Sequence, residues 1–308
     1  MLPVIEATIP VFAIVILGFG LRKSGFIESG SWGAVEDLCF YVFFPALLAK
    51  TMIKADLGNL DAGGFTLTLI VSVTIIGASL LALWPLMRSL LGTRPSQFTS
   101  VYQTTTRWHG FIALAIVINL YGDEGAALIA IIFAILVPIL QISNIMVLAA
   151  FSETSRPSLA KILLLVLKNP IIWGITVGLL VNFAGVTPWT PVMSILDLLG
   201  RAALGASLLV LGAGLSIKAA LNPSKELLIG VIGKLLFTPL VMMSVAGLFG
   251  ITGLERNVLL IAAAVPTAMN GYVLARKMGG DAPLYATIST VQTVFSFVTI
   301  PLFLWLVQ

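Results

Sequence analysis

The chain has 308 residues, 59% apolar and only 10% charged, with a formal net charge of +4. A soluble domain carries roughly 25% charged residues, so water is excluded as the solvent for most of this surface and lipid fits it. The basic residues are scattered between apolar runs, which argues against nucleic acid, and the single Cys39 excludes an internal disulfide and a Cys-rich metal site and reads as packing.

About twenty apolar residues cross a hydrocarbon core as a helix. Ten such runs are predicted, at 4–21, 34–53, 63–88, 96–121, 126–150, 159–184, 192–216, 226–250, 255–277 and 283–307. The first has no basic segment before it and is followed by Arg22-Lys23, so it reads as a retained helix and not a cleaved leader. The connections are short and no soluble domain separates the runs.

Basic residues set the direction. Arg22, Lys23, Arg88, Arg94, Arg156, Lys161, Lys168, Lys218, Lys225, Arg276 and Lys277 fall on one side, against Lys50, Lys54 and Arg256 on the other. The richer side is expected in the cytoplasm. An even number of spans then puts both termini outside. Trp32, Trp189 and Trp305 lie near span ends and read as interfacial anchors.

The sequence carries an internal repeat. Pro10, Gly18 and Gly25 recur as Pro170, Gly178 and Gly185 at an offset of 160 residues. Gly110-Phe111-Ile112 pairs with Gly271-Tyr272-Val273, Gly122-Asp123 with Gly280-Asp281, and Pro138 loosely with Pro301. The expected fold is therefore all-α and membrane-integral, with two five-helix repeats over 1–150 and 151–308. Five is odd, so the second copy enters from the opposite side and the repeats are inverted, as in many secondary carriers.

Spans four and nine are the corresponding helices of the two repeats, and both look interrupted. Span four reads Tyr102-Gln-Thr-Thr-Thr-Arg-Trp-His-Gly110, and span nine reads Val265-Pro-Thr-Ala-Met-Asn-Gly271. Pro266 removes a backbone donor and clashes with the preceding turn, while Gly110 and Gly271 free the backbone. Lipid does not tolerate free backbone polar groups, so paired breaks point to a buried or watery binding site. The candidate substrate-binding residues are Thr105, Thr106, Arg107, His109, Gly110, Pro266, Thr267, Met269, Asn270, Gly271 and Gln292.

Charge suggests the kind of substrate. Arg107, Arg201 and Lys234 fall within spans, where ionisable groups are costly and usually functional. Asp197 lies four residues before Arg201, at salt-bridge spacing, and reads as its structural partner. That leaves no deep acid for Arg107 or Lys234, Glu36 and Asp37 standing near the cytoplasmic end of span two. Each second half-helix also turns its N-terminus, with its free N–H groups, toward the break. An electropositive pocket without a carboxylate fits a small organic anion. His109 either binds that anion, carries a proton or bonds the broken backbone. Lys234 either serves the substrate or coupling, or anchors freed carbonyls. Gln141, Ser143, Asn144, Gln292 and Thr293 either line the cavity or bond between helices. No cofactor and no metal are expected, and one histidine with one cysteine leaves little from which to build a membrane enzyme.

Pro45-Ala46-Leu47-Leu48, Gly212 to Leu215, Lys234 with Pro239, and above all Ala262 to Ala275 followed by Gly279-Gly280-Asp281, Ser289-Thr290 and Pro301, resemble the auxin efflux carrier family over nearly the whole chain. The family includes plant auxin exporters and bacterial carriers of malonate and other small carboxylates, and it shares an architecture with the bile acid–sodium symporters. The resemblance implies ten helices, with helices four and nine crossing where they break. It implies a scaffold domain from 4–53 and 159–216, a moving transport domain from 63–150 and 226–307, and a homodimer through the scaffold. The implied activity is alternating-access, elevator-type transport of a mono- or dicarboxylate, auxin-like or otherwise, in a bacterial inner membrane. The alternative is a sodium-coupled symporter of the bile acid type. Relatives often carry proline or asparagine at the span-four break, where this chain has Thr105, Thr106, Arg107 and His109, so auxin itself is not carried over.

Overall fold

The computed structural model describes residues 2–28, 30–55, 62–151, 160, 164, 167–215 and 223–307. Every regular element among them is helical. Arg156, Lys161, Lys218 and Gln308, which entered the reading of direction and termini, lie outside the described residues, as does most of the first part of the sixth apolar run.

Helix α1 covers Leu2–Ser24. Helices α2 (Ser31–Leu38) and α3 (Phe44–Lys54) are joined without a loop by a π-helical turn, Cys39–Phe43, ahead of Pro45. Helix α4 (Ala62–Leu86) runs into a second π turn, Met87–Leu91, and stops at Gly92 with φ 69°, a left-handed angle that glycine adopts without strain. Helix α5 covers Pro95–Thr106 and α6 covers Gly110–Phe151. Helices α7 (Pro170–Phe183) and α8 (Thr190–Gly214) follow. Helix α9 (Lys225–Ile232) passes through a third π turn, Gly233–Phe237, into α10 (Thr238–Leu248). Helices α11 (Gly253–Ala264), α12 (Asn270–Lys277) and α13 (Ala282–Val307) complete the chain.

Among the described residues, seven helical stretches are long and apolar enough to cross a membrane: Glu6–Ser24, Ser31–Lys54, Gly63–Leu91, Pro95–Phe151, Thr190–Gly214, Lys225–Leu248 and Ala282–Leu306. Pro170–Phe183 is apolar but shorter. The stretch Pro95–Phe151 spans two of the runs read from sequence. Its helix stops before 107–109, and it bends again at Gly122, whose backbone (φ 58°, ψ −145°) leaves helical angles within α6. Residues 265–269 likewise separate α11 from α12.

Helix starts follow from local chemistry. Pro95 opens α5, and the Gln97 side chain accepts from the Arg94 N–H at 3.0 Å. Asn169 caps α7 by accepting from Ile171 N–H at 2.9 Å, and Ser224 caps α9 through Leu227 N–H at 3.1 Å. Each side-chain acceptor meets a donor that the first turn leaves without a helical partner.

The described residues group into two compact units. The first comprises those within Met1–Leu60, Phe111–Ala134 and Leu163–Leu215. Here α1 packs on α8, and α3 packs on α7 and α8. Small residues permit the approach: a Cβ at Gly174 would stand 2.5 Å from the Pro45 carbonyl oxygen, and one at Gly178 2.6 Å from that of Ala49. Lipid gives helices no hydrophobic reason to associate, so such close packing and polar bonds do the work. Asn182 donates to the Met52, Ile53 and Ala55 carbonyls at the end of α3. Asp197 holds Lys50 at 2.5 Å as well as Arg201 at 2.8 Å, so the spacing-based pair is one half of a three-residue cluster. Trp32, read as an interfacial anchor, is instead buried, whereas Trp189 is widely exposed.

The second unit comprises the described residues within Asp61–Gly110, Ile135–Ile162 and Ser216–Gln308. In it α5 packs against α4, α9 and α13, while α11 packs against α10 and α13. Both helix breaks belong to this unit.

Candidate functional site

The break after α5 begins when Arg107 turns to extended angles (φ −71°, ψ 157°), its N–H still closing the last helical bond onto Gln103 at 2.9 Å. The break after α11 begins the same way at Val265 (φ −66°, ψ 151°), since Pro266 has no N–H with which to continue. The two breaks are joined directly: His109 N–H donates to the Pro266 carbonyl at 2.7 Å.

Backbone groups released by a break must find partners where water is scarce. Around 265–269 they find them on one face of α13. Gln292 Oε1 accepts from Thr267 N–H at 2.9 Å. The Tyr285 hydroxyl donates to the Ala268 carbonyl at 2.5 Å and lies 3.1 Å from Thr267 Oγ1. Ser289 reaches the Thr267 carbonyl at 3.5 Å and Met269 Sδ at 3.0 Å. Residues 285, 289 and 292 repeat at helical spacing, so one stripe supports the whole segment. The Tyr285 ring lies directly on Gly271, where a Cβ would overlap it.

The last turn of α5 is treated similarly. The Thr104 carbonyl accepts from Gln292 Nε2 at 3.1 Å, and the Thr105 carbonyl from Thr238 Oγ1 at 3.4 Å. Gln292 Nε2 also donates to Gly230 at 2.9 Å. Both donor hydrogens of Gln292 and its acceptor are therefore engaged by backbone. The sequence reading placed Gln292 among the substrate ligands; the geometry makes it a brace between α5, α9 and the second break.

Other candidates divide clearly. Arg107 is buried, gives Nη2 to Gln141 Oε1 at 3.3 Å, and leaves Nε without a partner. Thr105 Oγ1 is buried and without a partner. Thr106 donates to the Tyr102 carbonyl at 2.9 Å and lies 3.3 Å from Asn144 Oδ1. Gly110 opens α6. His109 and Thr267 are buried, whereas Asn270 is exposed. Asp197 and Arg201 belong to the first unit and not to this cluster.

Lys234 sits on the π turn and is only 1% exposed. Its ammonium has no hydrogen-bond or ion-pair partner among the described residues, so it does not anchor freed carbonyls. It lines a small cavity of about 20 Å³ with Thr106, Trp108, Thr238, Met242 and Ala262, room for about one water. The sole buried acid among the described residues is Glu226, which accepts from Thr93 Oγ1 at 2.9 Å. Among those residues no group of His, Cys, Asp and Glu is placed to hold a metal ion. Sequence reasoning missed Thr238 and Tyr285, and met Ser289 only as part of a motif. Their helical spacing to Gln292 and Lys234 was visible, but which backbone groups they meet depends on the tertiary fold.

Residues 3–304 match the family model described as membrane transport protein. The chain belongs to this family, the auxin efflux carrier family, and is an integral membrane protein of the transporter class. It is 22% identical over 297 residues to an uncharacterized transporter of Methanothermobacter thermautotrophicus, covering 96% of each chain. It is 21% identical over 308 residues to a protein of Rhizobium meliloti named "Putative malonate transporter", covering 97% of this chain and 94% of that one. An uncharacterized transporter of Methanocaldococcus jannaschii is 22% identical, with 98% of each chain covered.

Proposed function

We propose that the protein is a secondary transporter that moves a small organic anion, a mono- or dicarboxylate, by alternating access. The observation that carries this reading is the meeting of the two helix breaks at His109 and Pro266, beside a buried Arg107 whose guanidinium is incompletely partnered. A guanidinium takes a carboxylate through parallel charge-assisted hydrogen bonds. The first N–H groups of α6 and α12 add positive dipole ends at the breaks. Lys234 supplies a second buried cation in the same unit. The malonate in the name of the Rhizobium meliloti relative supports a small carboxylate.

In this reading the chain forms ten membrane-crossing segments in two inverted repeats. Spans 4–53 and 159–216 form a scaffold through which two copies pair, and 63–150 with 226–307 form the part that moves as an elevator. Both termini face away from the cytoplasm of a bacterial inner membrane. A sodium-coupled symporter would want oxygen ligands, preferably with a carboxylate, near the breaks; the only buried acid among the described residues, Glu226, is engaged by Thr93.

The test is the affinity of purified protein for a panel of small carboxylates, with Arg107→Ala and Arg107→Lys alongside. Loss of an anchoring charge from a buried site costs about 2–5 kcal/mol, so Arg107→Ala should weaken binding at least about tenfold. Arg107→Lys keeps the charge but loses the fork, and should cost less. Unchanged affinity in a correctly folded Arg107→Ala protein defeats the assignment.

A further inference from the structure

Gln103 lies one helical turn before Arg107 on α5, the two linked by the Arg107 N–H to Gln103 carbonyl bond of 2.9 Å. Residues four apart share a helix face. Gln103 is completely buried, yet neither its amide nitrogen nor its amide oxygen has a partner. Arg107 Nε, on the same face, also lacks one. Buried carboxamides ordinarily donate and accept, and an unmet one is costly. On the same helix the Thr104 and Thr106 side chains have partners, as do Asn144 and Gln292, which bond those two residues. On this face Gln103 and Arg107 offer two kinds of donor, one charged and one neutral, and one neutral acceptor, while the orphaned Thr105 Oγ1, two residues from Gln103, belongs to another face of the helix.

We propose that Gln103 is a specificity-determining residue that reads a hydroxyl on the carbon next to the carboxylate held by Arg107. This rests on the carboxylate-carrier reading above. The carboxylate takes the Arg107 guanidinium and the Gln103 N–H, and the hydroxyl donates to the Gln103 carbonyl oxygen. An ammonium in the hydroxyl's place also donates, but it would stand beside the Arg107 guanidinium, and the one buried acid among the described residues, Glu226, is bonded to Thr93 and not to Arg107 or Gln103. A 2-hydroxy acid satisfies all three atoms without adding a positive charge.

The experiment measures affinities of the purified full-length protein for two matched pairs: propionate against lactate, and malonate against hydroxymalonate. A site built to bond a hydroxyl rejects the analogue lacking it, so each hydroxylated acid should bind at least about tenfold more tightly than its parent. Gln103→Leu should bring both ratios to about one and weaken the parent acids less than Arg107→Ala, which weakens all four. Leucine removes an orphaned amide without changing shape much, so Gln103→Leu should fold at least as stably as wild type, and Gln103→Met serves as a second test of the same point. Equal affinities within each pair in wild type overturn the inference and leave the carrier reading standing, as does a preference that survives both substitutions. Absence of binding by any of the four acids in wild type defeats the carboxylate reading and the inference together.

Discussion

Replacing Gln292 by leucine keeps the side-chain volume and removes three hydrogen bonds at once. The partners are the Thr104 and Gly230 carbonyls, at 3.1 and 2.9 Å, and the Thr267 N–H, at 2.9 Å. They do not suffer equally. The Gly230 carbonyl still accepts from the Gly233 N–H at the start of the π turn. The Thr104 carbonyl and Thr267 N–H, both at helix breaks, are left buried with nothing. Each orphaned group costs about 1–3 kcal/mol, so Gln292→Leu should destabilise by about 2–6 kcal/mol. Thermal unfolding in detergent should register a fall in Tm of about 4 °C or more. Gln292→Glu keeps the acceptor for Thr267 but sets carboxylate oxygens against two carbonyls, so it should not rescue. If Gln292 were instead a substrate ligand, leucine would leave Tm unchanged and weaken substrate affinity alone, and that pattern would refute the brace.

Lys234→Met removes a fully buried cation with no partner among the described residues; stability should rise by about 1–3 kcal/mol while uptake into proteoliposomes falls, and a drop in Tm would contradict this. Gly271→Ala drives a Cβ into the Tyr285 ring and should cost about 1–3 kcal/mol; Tyr285→Leu in the same protein should recover part of it, and strict additivity in that cycle would argue against the contact. Phe26, 82% exposed between α1 and α2, is expected on the cytoplasmic side; a Phe26→Cys protein carrying Cys39→Ser should react with an impermeant thiol reagent only from that side, and labelling from outside would reverse the proposed direction.

The breaks were legible because their cause is local. Pro266 cannot donate, Gly110 and Gly271 relax the backbone, and a polar run at 102–109 is foreign to an apolar span. The Asp197–Arg201 pair was legible for the same reason, four residues being one helical turn. Lys50, the other partner of Asp197, comes from 147 residues earlier, and no spacing rule reaches that far. The roles of Gln292 and Lys234 depended on distant partners too. Polar residues within apolar spans look alike in sequence whether they meet a ligand or a carbonyl. The three π turns were not anticipated either; Pro45 and Pro239 stand just after two of them, so part of the cause was in view.

The two breaks are supported unequally, and the inequality bears on how such a site works. In the segment 265–269 the Pro266, Thr267 and Ala268 carbonyls and the Thr267 N–H are met by His109, Ser289, Tyr285 and Gln292. Unmet side-chain atoms stand on the α5 side, at Gln103, Thr105 and Arg107. A bonded segment resists displacement, since each bond lost leaves a buried group without a partner. A segment with orphaned donors gains when a ligand arrives. The second break is thus suited to hold position and the first to receive, although the sequence pairs Gly110-Phe111-Ile112 with Gly271-Tyr272-Val273. Sequence symmetry would distribute substrate contacts evenly over both. The hydrogen bonds argue that substitutions on α5 should alter which anion is chosen, and that substitutions on the 285–292 face of α13 should alter whether the site persists at all.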